Sequence, residues 1–106
     1  MAPTTVDYED VDAVGGGLHF LRDELNCENL GVSVLECEPG WTGKPHDHAD
    51  DEQEEVYVLL EGEATVTVDG EDVAMSAGDA IRVGPDERRQ IENGSVESTF
   101  VLAGAP

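Results

Sequence analysis

The chain has 106 residues, 39% of them hydrophobic, and sets 25 Asp and Glu against 5 Lys and Arg for a formal charge of -20. That length supports one domain with a single core. The charge excludes nucleic-acid binding, which needs a basic face that five cations cannot build, and no apolar run is long enough to cross a membrane.

In chain order, residues 1 to 25 read as an N-terminal arm and residues 26 to 106 as a single barrel domain. The arm is polar and acidic up to Gly15-Gly16-Gly17, a mobile arm or an edge strand, and His19 to Leu21 is a short apolar segment. Met1-Ala2-Pro3-Thr4-Thr5 lacks the basic-then-apolar pattern of an export signal, so a cytoplasmic protein is expected. Leu30 to Cys37 alternates as a strand, with Val32 and Val34 on one side and Ser33 and Leu35 on the other. Pro39-Gly40-Trp41-Thr42-Gly43 breaks regular structure. Asp50 to Glu55 either extends that loop or opens the next strand.

The pattern then becomes regular. Val56 to Leu60 is a strand, turned by Glu61-Gly62-Glu63, and Ala64 to Val68 follows. Asp69-Gly70 is the favoured two-residue hairpin turn. Glu71 to Met75 returns, Ala77-Gly78-Asp79 turns again, and Ala80 to Val83 is a short strand. Gln90 to Glu92 and Val96 to Leu102 are two more, separated by Asn93-Gly94. Many short strands with glycine-centred turns predict an all-β antiparallel sandwich or barrel. With so few aromatics, its core must be mostly Val, Leu, Ile and Ala.

The acidic residues are scattered rather than gathered into a tail. Their mutual repulsion opposes compaction in dilute buffer, but at molar salt the screening length falls to roughly 3 Å. The distribution therefore points to a folded, halophilic domain. Cys27 and Cys37 do not have metal-site spacing and read as two small thiols, with a disulfide between them left open by the sequence.

The candidate site starts at His46-Asp47-His48. Two imidazoles two residues apart project to one side of an extended chain. A carboxylate from the next strand, Glu55, completes a His, His, Glu set able to bind a divalent transition metal. Glu52 is an alternative carboxylate, and the amide of Gln53 is a weaker candidate. The competing reading leaves both histidines and Glu55 as solvated surface groups. His19 is either a packing residue or an additional ligand, if the arm folds over the barrel mouth. Trp41 either floors a ligand pocket or covers the barrel end, and Tyr57 faces either the pocket or the opposite sheet face. Arg82 and Arg88 are expected in surface ion pairs.

These residues resemble a known family. Gly40 is followed after five residues by His46-Asp47-His48, and Glu55 after six by Gly62, with Val56-Tyr57-Val58-Leu59-Leu60-Glu61 between. This is similar to the first motif of the cupins, small jelly-roll barrels (double-stranded β-helices) that commonly hold a metal near one end. Gly78-Asp79-Ala80-Ile81-Arg82-Val83 and Asn93 resemble the second motif, although Gly84, Asp86 and Arg89 stand where it has proline, glycine and histidine. His48 and Glu55 are also farther apart than usual, so Asp50-Asp51 resembles an insertion.

The resemblance implies His46, His48 and Glu55 as ligands to Fe, Mn, Ni or Zn. Arg89 presents only donors and cannot ligate a metal. It either pairs with Glu55 and repels a cation or anchors a substrate anion. The implied function is a metal-binding cupin acting on or binding a small molecule, with dioxygenase and isomerase chemistry both open. The alternative is a non-catalytic ligand-binding or sensory cupin with no bound metal. A homodimer formed through the arm is expected.

Overall fold

In the computed structural model, which describes residues 3–106, eight strands form two sheets. A single 3-10 turn, Tyr8–Asp10, precedes them, with the Asp7 carboxylate accepting from the backbone N–H of Glu9 at 3.0 Å. The strands are β1 Leu18–Phe20, β2 Gly31–Cys37, β3 Glu54–Glu61, β4 Glu63–Val68, β5 Glu71–Ser76, β6 Ala80–Val83, β7 Arg89–Asn93 and β8 Ser98–Ala105. One sheet has the order β1-β2-β8-β3-β6 and the other β5-β4-β7, and every pairing is antiparallel. The expected all-β antiparallel fold is therefore present. Among the described residues, no helix is long and apolar enough to cross a membrane.

Alternation sets what each sheet turns inward. Leu35, Tyr57, Leu59 and Phe100 from the larger sheet meet Ala64, Val66, Met75 and Ile91 from the smaller in one buried cluster. Apart from Tyr57 and Phe100 the cluster is aliphatic or thiol and thioether, as the composition requires. Asp69-Gly70 forms the β4–β5 hairpin with φ of 49° and 82°, the left-handed pair such a turn needs. Gly62, between β3 and β4, has φ 94° and lies against Ser98 and Glu97, so a side chain there meets both strain and collision.

β1 is the edge strand, and its register sends neighbouring side chains to opposite faces of the sheet. Leu18 pairs with Leu35 and Phe20 with Ser33, on the inward face, whereas His19 pairs with Val34 on the outward face. The 3-10 turn and its flank lie against that outward face: His19 Nδ1 is 2.7 Å from the Val11 carbonyl, and the Tyr8 ring stands edge-on to the imidazole.

Candidate metal centre

The segment carrying the two histidines forms no regular strand. It is extended and pinned at two points: His46 exchanges backbone hydrogen bonds with Arg89 at 3.0 and 2.8 Å, and the His48 N–H donates to the Pro85 carbonyl at 3.0 Å. The same-side projection expected of a strand is thus obtained from a tethered loop. The rings lie 5.1 Å apart at 90° to each other. Glu55 enters from β3, opposite Gly104 of β8, where a Cβ would stand 3.0 Å from Glu55 Cγ. Glycine at 104 leaves the carboxylate its room.

His46, His48 and Glu55 bring one donor atom each within 4.8 Å of one another. His48 Nε2 and Glu55 Oε1 are 3.2 Å apart. Two donor atoms about 2.1 Å from a shared ion stand about 3.0 Å apart at a right angle and about 3.4 Å apart at the tetrahedral angle. The observed separation fits that range, and the His, His, Glu donor set suits a divalent transition metal. Each imidazole is also oriented through its other nitrogen: His46 Nδ1 lies 3.0 Å from the Lys44 carbonyl, and His48 Nδ1 3.2 Å from Asp51 Oδ2. Such outer partners fix the tautomer that leaves Nε2 for a metal. Asp51 is a residue that sequence reasoning passed over as part of an insertion; its position three residues after His48 was the available signal. Desolvation raises the Asp51 carboxyl, but the hydrogen bond and charge of His48 outweigh it, so Asp51 titrates below its ordinary value.

Behind Glu55 stand two buried side chains. Tyr57 donates its phenol to Glu55 Oε1 at 3.0 Å. Burial, and then the Glu55 charge, push that phenol far above its ordinary value, with Arg89 opposing. Arg89 occupies an inward position of β7, across from Val68, and its side chain has no exposure. Its Nη2 donates to the Gly84 carbonyl at 2.9 Å, Nε lies 3.9 Å from Glu55 Oε1, and Nε and Nη1 have no hydrogen-bond partner among the described residues.

A cavity of about 330 Å³ opens over the three candidate ligands, with Leu18, Phe20, Arg22, Ser33 and Gln53 in its wall. A second chamber of about 260 Å³ adjoins it and shares Leu18, His46 and Leu102. Trp41 lines this chamber with Leu35 and Ile91, so it lies beside the site and within the barrel end.

Several expectations are corrected by this geometry. Glu52 is exposed, at φ 55°, and outside the cluster, so Glu55 is the converging carboxylate. Tyr57 and Arg89 do not reach the cavity to touch a ligand, because the inward register of β3 and β7 buries them behind Glu55. His19 does not join the cluster: its outward register gives its nitrogens to Val11 and to Glu36, at 3.2 Å. Gln53 lines the cavity without belonging to the ligand set. Cys27 and Cys37 are both free thiols, half-buried and buried, as expected, and the disulfide left open by the sequence is not formed. Arg82 pairs with Glu54 at 2.8 Å, whereas Arg88 has no ion pair among the described residues.

A double-sheet jelly roll with a His, His, Glu cluster at its open end defines a class of small barrels. The family model described as Cupin domain (Cupin_2) matches residues 33–104, and the chain belongs to the cupin family. It is 32% identical over 81 residues to the Mycobacterium tuberculosis protein named Beta-D-galactosidase Rv1717, covering 76% of this chain and 67% of that one. The crystal structure of a cupin protein from Bacteroides fragilis is similar with a TM-score of 0.71 and 29% identity, over 94% of this chain and 84% of that one. A predicted oxalate decarboxylase from Thermotoga maritima shares the fold with a TM-score of 0.79 and 22% identity, over 95% and 97% of the two chains.

Proposed function

We propose that this cupin binds a divalent transition metal through His46, His48 and Glu55 and acts on or binds a small molecule in the cavity above them. The convergence of three donor atoms within 4.8 Å at the floor of a 330 Å³ cavity carries the reading. A bound metal supplies a Lewis acid with coordination positions left open for water or a chelating ligand.

The chain's own residues supply the setting. Lys44 and Asp51 hold the two imidazoles in one tautomer, while Tyr57 and Arg89 fix the Glu55 carboxylate from behind. Gln53 and Ser33 offer polar contacts in the cavity wall, and Phe20 and Leu102 offer apolar ones. No acid-base pair in the wall singles out one reaction. The name of the mycobacterial relative makes a galactoside one candidate ligand.

Replacing ligands tests the reading. Cobalt(II) added to the protein is expected to give a visible spectrum that disappears in both His46→Ala and His48→Ala. Spectra unchanged by either substitution place the metal elsewhere and overturn the proposal.

Halophilic adaptation and a homodimer belong to the same reading. The acidic composition supports the first. The outward apolar side chains Val56 and Leu60, 38% and 52% exposed, support the second.

A further inference from the structure

We infer that the ligand of this site is a small carboxylate bearing an apolar group of aromatic size. Its anionic end lies in the larger chamber beside Arg22 and its apolar end in the chamber lined by Trp41. The inference deepens the metal-site reading and rests on it for where the head group sits.

The first observation is where the scarce cations are. The chain has only five Lys and Arg against 25 acids, so where each cation lies is informative. Arg82 takes one, Glu54. Arg88 lines a separate surface groove with Thr67 and Asp69. The other three gather at the site: Arg22 lines the larger chamber, Lys44 the smaller, and Arg89 is buried behind Glu55.

Among the described residues, Arg22, Lys44 and Arg88 all lack a carboxylate within 4.0 Å, and of the three only Arg22 lines the chamber over the candidate ligands. Arg22 places one N–H, at 3.0 Å, on the Glu28 carbonyl, which leaves most of its five donors unused. Arg22 therefore brings free guanidinium donors to the wall of the larger chamber, where a carboxylate could take them.

The second observation is the shape and lining of the adjoining chamber. Leu18, Leu35, Trp41, Ile91 and Leu102 make its walls mostly apolar, with Lys44 and His46 its charged and polar members, and its 260 Å³ exceeds the roughly 150 Å³ that accommodates a benzene ring. Glycines seat the indole. A Cβ at Gly43 would stand 2.9 Å from Trp41 Cη2, and one at Gly16 3.3 Å from Nε1. The two chambers meet at His46, so one molecule can place its head over the candidate ligands and its apolar group against Trp41. A polyhydroxylated sugar would find few hydrogen-bond partners in that second chamber beyond Lys44 and His46, so an apolar group fits it better.

Trp41 is the only tryptophan, so its emission reports occupancy without any assay of activity. The full chain, in about 1 M KCl to screen its own repulsion, is titrated with 3-phenylpropionate, 3-phenylpropanol, propionate and D-galactose. Metal-free and zinc-loaded samples are run in parallel, with zinc content measured on each. A saturable change with 3-phenylpropionate is expected, at least about fivefold tighter than with the other three. Arg22→Gln, at a rim position where circular dichroism checks the fold, is expected to weaken the acid about threefold or more and leave the alcohol unchanged.

No saturable response to 3-phenylpropionate, equal affinity for acid and alcohol, or a response to galactose alone overturns the inference. Zinc binding without a fluorescence response also overturns it and leaves the metal reading standing. A selective response in protein that takes up none of Zn, Fe, Mn or Ni under the same treatment supports the ligand class and overturns the metal reading.

Discussion

Arg89 and Glu55 form a buried pair whose energetic coupling can be worked from the geometry. The Nε to Oε1 distance is 3.9 Å, and the side chains are 0% and 14% exposed. At an effective dielectric of about 20, two unit charges at that distance attract by about 4 kcal/mol. Partial exposure of Glu55 reduces this, and a coupling of about 1 to 3 kcal/mol is expected. Arg89→Met removes the attraction and the 2.9 Å bond to Gly84, but it also removes a desolvated charge with two unpartnered N–H groups. These effects oppose one another, so Arg89→Met alone is expected to change stability by no more than about 2 kcal/mol. Glu55→Gln keeps the acceptor for Tyr57 and leaves Arg89 buried without its counter-charge, which costs about 2 to 4 kcal/mol. In the double variant that cost should largely vanish. Urea unfolding of the four proteins at fixed salt measures the cycle. Additive effects, within about 0.5 kcal/mol, refute a coupled pair.

Composition and packing lead to three further predictions. Gly62→Ala combines a positive φ with collision against Ser98 and Glu97 and is expected to cost about 3 kcal/mol, read by chemical unfolding. Burial pushes the Cys37 thiol up to about 11, so iodoacetamide at pH 8 should label Cys27 in the native protein and both thiols after unfolding. The unfolded chain releases that proton near 9.0 while the fold retains it to about 11, so this group's stabilisation is lost as pH climbs through that window. Thermal unfolding followed by circular dichroism should give a higher midpoint in about 2 M KCl than in dilute buffer; an equal or lower one contradicts the halophilic reading.

Turn chemistry and alternation made most of the fold legible. Asp69-Gly70 and Gly62 announced their hairpins because few other residues tolerate the left-handed backbone found there. His46, His48 and Glu55 were legible as a set because their side chains converge whether the histidine segment is a strand or a pinned loop.

Choices between alternatives needed the three-dimensional structure. Arg89 was open between pairing with Glu55 and anchoring a substrate anion, and its inward register beside Ile91 and Asn93 puts it near Glu55. His19 was open between packing and an additional ligand, and its place between Leu18 and Phe20 turns it to the outward face, where it packs against Tyr8. The role of Asp51 depends on how a loop closes over His48, and no periodicity encodes that.

Whether His46, His48 and Glu55 hold a metal is decided by the metal content of untagged protein, purified without chelator and then reconstituted. Close to one equivalent of a divalent transition metal is expected, lost in His48→Ala. Less than about a tenth of an equivalent, summed over Fe, Mn, Ni and Zn in folded protein, contradicts it.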